Sequence, residues 1–202
     1  MMATTHALIG GAVVVLLTRF APEMTPIAVT AALAGGVFPD LDLYANHRKT
    51  LHFPVYYWIP ATLAVLVVAL IPTTTTVAVA AFVLAAAVHS TMDVFGGGLE
   101  LRPWLGTSDR AVYNHYRRHW IRPRRWIRYD GAPADFLLGA VGAVPVVTVT
   151  DGPLRTIVLG AVVVSGVYAL VRKHLPDLAT VIASNLPKPL RTHVPDRFVD
   201  VE

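Results

Sequence analysis

Six apolar stretches, at residues 6–20, 26–38, 54–71, 77–95, 134–150 and 154–171, fill about half of the chain and restrict what it can fold into. One membrane span takes about 20 apolar residues, within a range of roughly 17–25. The third, fourth and sixth stretches are near that length. The first two are short and are expected to thin the bilayer or to form a partly inserted helical hairpin. Strands are the rival reading for the Val-rich runs. A sheet edge in lipid leaves backbone N–H and C=O groups unpaired, so helices are expected. Composition agrees: 54% of residues are hydrophobic and 15% charged, against about 25% charged in soluble domains.

Three connections read as tight turns between antiparallel helices: Ala21 to Pro26, Pro72 to Thr76, and Asp151-Gly152-Pro153. Two are long, 39–53 and 96–133. The first stretch is expected to be retained, because no basic residue precedes it and Arg19 follows it. The expected architecture is an all-α, polytopic membrane bundle of about six segments. Its membrane domain covers 1–171 and carries a basic loop at 96–133. The proline-dotted tail, 172–202, reads as an amphipathic or extended surface segment. There is no cysteine, which excludes a disulfide framework and a thiolate zinc site.

Six spans put the N-terminus, 39–53, 96–133 and the tail on one side. That side holds all of the 17 Lys and Arg residues except Arg19 and Arg155. Basic loops stay inside. The expected location is therefore the inner or plasma membrane, multi-pass, with the N-terminus cytoplasmic.

On this count four polar clusters fall at one membrane face: His6, Pro39-Asp40-Leu41-Asp42, His47 to His52, and His89-x-x-x-Asp93. The spacing of His89 and Asp93 puts both on one helix face. Ionisable groups in membrane helices are costly and mark function by default. Imidazole and carboxylate together suit Zn, Mn or Fe better than Ca. The expected ligands are His6, Asp40, His52, His89 and Asp93, holding one or two divalent ions, zinc before manganese or iron. Asp42 and His47 come next as ligand or base, and Arg48 is expected to hold substrate charge. Each piece also has a plain structural reading: an interfacial histidine, a helix stop with a cap, or an internally bonded His–Asp pair.

The run Tyr113 to Tyr129 is rich in Arg, Trp and Tyr. It reads first as a juxtamembrane belt meeting anionic lipid. Its arginines could also bind a substrate phosphate, and His115 and His119 could be ligands. Nucleic-acid binding is not expected between two spans. Gly10-Gly11 and Gly35-Gly36 are read as close helix contacts, Gly96-Gly97-Gly98 as a helix end, and Asp135 as a helix N-terminal charge near the headgroups.

On these residues the chain resembles the membrane-bound metal-dependent hydrolases of the YdjM/YbcI kind. The resemblance runs over about residues 4–104 through His6 with Gly10, Phe38-Pro39-Asp40-Leu41-Asp42, His47-Arg48 with Thr50 and His52, and His89-x-x-x-Asp93. That family looks related to the zinc-dependent phospholipase C and P1-type nuclease group, which implies phosphoester hydrolysis. The chain departs from the pattern at Leu51-His52-Phe53 and lacks a late His-x-x-x-Glu, which implies one or two ions rather than three. The expected partners are membrane lipids and a lipid-linked or phosphorylated substrate; the oligomeric state is left open. A transporter relaying ions through the same residues is the other reading, and a scaffold with a closed structural metal a third.

Overall fold

Each of the six apolar stretches forms a helix in the computed structural model, which describes residues 1–18 and 21–187. The helices are α1 (Ala3–Leu17), α2 (Thr25–Val37), α3 (Trp58–Leu70), α4 (Thr74–Met92), α5 (Pro133–Val149) and α6 (Gly152–Val171). The starts are local chemistry. Proline occupies the first turn of α2, α5 and α6, where its missing N–H is harmless. Thr73 and Thr76 close a capping box at the start of α4. A seventh helix, α7 (Leu175–Asn185), accounts for part of the tail, and its apolar Leu178, Val181 and Ile182 share one exposed side. Lys188, Arg191, Arg197 and the last prolines of the tail, like Arg19, lie outside the described residues.

Three helical stretches are long and apolar enough to cross a membrane: Pro22–Leu43, Thr74–Phe95 and Gly152–Val171. The first reaches that length because 3-10 turns extend α2 at both ends. The expected length order shifts accordingly. The second stretch is longer than its apolar run, and the third is only 13 residues long as a helix. Residues 54–57 before α3 form turns instead, held by the Tyr57 hydroxyl donating to the Leu51 carbonyl at 2.9 Å. Large apolar side chains such as Leu66, Leu70, Val163 and Leu170 point outward, as they do on a lipid-facing surface.

α1 runs through the middle of the bundle. One face packs on α5 and α6 through Leu8, Val15, Ala143, Val146 and Val158, with Val29 of α2 in the same cluster. The other meets α2 and α4 through Val14, Ala28, Ala32, Val77, Ala81 and Ala85. Small residues bring the backbones close. A Cβ on Gly36 would sit 2.6 Å from the Ala7 Cα, and one on Gly35 would run into the Phe82 carbonyl.

The long loops fold over one end of this bundle. Residues 96–132 carry a hairpin, β1 (Val112–Asn114) and β2 (His119–Ile121), antiparallel with Tyr113 opposite Trp120. The fold is therefore mostly rather than wholly α-helical. The hairpin is tied down at its root, where the Tyr113 amide donates to the Arg48 carbonyl at 2.9 Å. Beyond it, the amides of Arg124 and Ile127 donate to the carbonyls of Val94 and Phe95. Farther along, Asp130 pairs with Arg172 at 2.7 Å and accepts from the Tyr168 hydroxyl. Burial pulls the Asp130 carboxyl up, but these partners outweigh it and hold the group below the usual carboxylate range. Asp135 is not at the surface as expected. It is fully buried and accepts from the Met2 and Gly131 amides at 2.8 and 3.0 Å, fixing the start of α1 against α5.

Candidate metal centre

The site forms where α2 and α4 end, α1 begins, and the loop after α2 turns back. Asp40 sits in the 3-10 turn that continues α2, and His52 follows on the loop. His89 occupies the last turn of α4, with Asp93 one turn on. One ligand atom from each of the four lies within 4.8 Å of the other three. His52 Nε2 is 3.1 Å from His89 Nε2, 3.2 Å from Asp93 Oδ2 and 3.6 Å from Asp40 Oδ1. His89 Nε2 is 3.4 Å from Asp40 Oδ1 and 3.5 Å from Asp93 Oδ2. Four atoms bound tetrahedrally to an ion at roughly 2.0–2.2 Å stand ~3.3–3.6 Å apart. The five separations bracket that figure.

The far side of each imidazole settles which nitrogen faces the centre. His89 Nδ1 donates to the Gly36 carbonyl at 2.6 Å, and His52 Nδ1 to Asp42 Oδ2 at 3.0 Å. With both Nδ1 atoms protonated, two Nε2 lone pairs converge on two carboxylate oxygens. Such an outer shell orients metal-binding histidines. Asp93 Oδ2 is buried and has no hydrogen-bond partner among the described residues. Four lone pairs facing one point repel unless a cation stands among them, and the cluster can hold a metal ion. Burial alone would lower the His52 imidazole, but Asp40, Asp42 and Asp93 outweigh it and push it up to about 10.

The other expected residues surround this group without joining it. His6 is fully buried and stacks on the His89 ring, with centroids 3.7 Å apart. Its Nε2 lies 3.2 Å from Asp93 Oδ1 but off the hydrogen-bond direction. Asp42 is a hub: Oδ1 accepts from His47 Nδ1 at 2.9 Å and the Arg48 amide at 3.3 Å, and Oδ2 from the Leu51 amide at 3.1 Å and His52. Arg48 is buried against Asp93, with Nη2 3.4 Å from Oδ1. His115 and His119 stay outside the group. His115 bonds the Lys49 carbonyl at 2.7 Å and packs on Phe53, and His119 is exposed on β2.

Asp40 is the ligand that reaches solvent, with its side chain 21% exposed while His52, His89 and Asp93 stand at 0–1%. It lines a cleft of about 270 Å³ together with His47, Arg48, Glu100, Asp130 and Arg172. Two contributors lay outside the sequence reading, the carbonyls of Gly36 and Gly97, which hold His89 and Arg48. Any residue has a carbonyl, so no residue type announces that role.

No family model, no curated protein and no solved structure matches this chain.

Proposed function

We propose that the protein is a metal-dependent membrane hydrolase that cleaves a phosphoester of a lipid-linked or amphiphilic substrate. The observation that carries the reading is the convergence of His52, His89, Asp40 and Asp93 at 3.1–3.6 Å with both Nδ1 atoms engaged elsewhere. A bound divalent ion would lower the pKa of its water to about 7 and polarise a phosphoryl oxygen. The partly exposed Asp40 opens the group to the cleft, which a closed structural site would not need. His47 lines that cleft with Nδ1 bonded to Asp42. Its Nε2 is thereby kept as the proton acceptor, the role of a general base. Asp42 holds His47 and His52 in place, and Arg48 offers charge to an anionic group. The likeness of the His and Asp motifs to the YdjM/YbcI kind of hydrolase supports the same class.

Lipid is favoured as the substrate's anchor because the cleft lies at the end of apolar helices. The basic loop folds over that same end, and by its charge we place it in the cytoplasm. Zinc is the expected ion, from the two imidazoles in the donor set.

The test is metal content and turnover of purified wild type, His89→Ala and Asp40→Ala on a panel of phospholipids and a chromogenic phosphoester. Wild type is expected to carry zinc and to turn over, with both variants losing metal and at least 100-fold in rate. Equally negligible metal in all three would sink the reading. Full metal without cleavage of any phosphoester would favour an ion transporter.

A further inference from the structure

In phosphoester hydrolases with two ions, the pair would clamp both the attacking and the leaving oxygen. Asp93 presents its two oxygens to different neighbours. Its Oδ2 faces the four-atom group, and its Oδ1 faces away. What stands at Oδ1 is a guanidinium: Arg48 Nη2 at 3.4 Å. His6 Nε2 and the Met1 nitrogen lie at 3.2 and 3.4 Å from the same oxygen.

Resting on the metal reading above, we infer that this is a one-ion site in which the Arg48 guanidinium takes the place of the second ion and receives the phosphoryl group beside the first.

The charges agree with one ion. Asp40, Asp42 and Asp93 carry three negative charges, against one positive charge each on Arg48 and the Met1 ammonium, so one divalent ion already more than balances them. A second would leave an excess of three positive charges in a buried place, which is costly. The donors of Arg48 agree as well. Nη1 reaches the carbonyls of Gly97 at 2.8 Å and Ala111 at 3.4 Å. Nη2 turns to Asp93, and Nε is buried without a partner. Of the five N–H groups of a guanidinium, one on Nε and one on Nη2 are thus unspent among the described residues, and Arg48 lines the cleft together with Asp40. An Arg fork of this kind matches a phosphoryl oxygen pair.

The backbone is bent to hold that side chain. Arg48 has φ 59, in the left-handed region that a residue with a Cβ avoids. It is kept there because its amide donates to Asp42 and its carbonyl accepts from Tyr113 at 2.9 Å. Strain of this kind, retained where surroundings enforce it, is found at functional sites. The same carboxylate therefore sets His52 on the ion and Arg48 beside it.

The experiment is zinc titration of the purified full chain with elemental analysis, followed by calorimetry of inorganic phosphate binding to the zinc-loaded protein. Wild type, Arg48→Lys and Arg48→Gln are compared. One zinc per chain is expected in all three. Phosphate affinity should fall at least tenfold in Arg48→Gln and partly recover in Arg48→Lys. Two zinc ions per wild-type chain would overturn the inference and leave the hydrolase reading standing. Phosphate binding unchanged in Arg48→Gln would overturn it as well. No zinc at all would overturn the parent reading and this one with it. The wild-type stoichiometry needs no variant to fold.

Discussion

Each oxygen of Asp42 accepts from two donors, one histidine Nδ1 and one backbone amide. An asparagine in its place can offer only one acceptor oxygen, so a pair of these donors would face an NH₂ group. Asp42→Asn is therefore expected to let His52 turn over or change tautomer. Zinc affinity, measured by competition with a chelator, should drop about 10–100-fold while the helical content stays unchanged. Undiminished affinity would remove Asp42 from the positioning role. The sequence brought Asp40, His52, His89 and Asp93 to one depth because helix ends can be counted along a chain. It ranked Asp40 ahead of Asp42 as a ligand, but left Asp42 as ligand or base and did not show it as the support behind His52. Both aspartates lie in one Pro-Asp-x-Asp turn, and only the path of residues 47–52, reversed at the positive φ of Arg48, decides which faces the centre and which stands behind. His6 was expected as a ligand, and the structure has its ring stacked on His89.

The helices hold this geometry by close approach. α2 meets α4 where Gly35 lies against the Phe82 carbonyl, and the next residue, Gly36, supplies the carbonyl for His89. A methyl group at Gly35 pushes on backbone, which cannot move aside as a side chain can. Gly35→Ala is expected to cost about 1–3 kcal/mol and to lower the melting temperature in detergent by several degrees. Gly160→Ala on α6, with open space around it, should leave the melting temperature unchanged or slightly raised. Equal melting of both variants would show that α2 and α4 are not so tightly set. Element positions were legible from apolar run length, yet two ends were not. α2 gains 3-10 turns whose residues, Pro22–Met24 and Phe38–Tyr44, are only partly apolar. The strands β1 and β2 are three residues each, too short for alternation to register.

At the scale of the whole molecule, the loops, the cleft and the four-atom group share one end of the bundle. The sidedness proposed from the basic residues can be read because the chain has no cysteine to give background. Arg117→Cys in the hairpin turn and Asp151→Cys at the start of α6 lie at exposed positions. In intact cells an impermeant thiol reagent should label Asp151→Cys at once and Arg117→Cys only after permeabilisation. The opposite pattern would turn the protein over and place the cleft outside.

Burial of the centre bears finally on timing. Three of its four donors have essentially no solvent exposure, and the fourth, Asp40, is one-fifth exposed. A metal ion held there would enter and leave past a single carboxylate, with the 3-10 turn of Phe38–Tyr44 as its doorway. Exchange would then be slow compared with the life of the folded chain. Occupancy would record which ion was abundant while the helices assembled, a matter of history more than of later equilibrium.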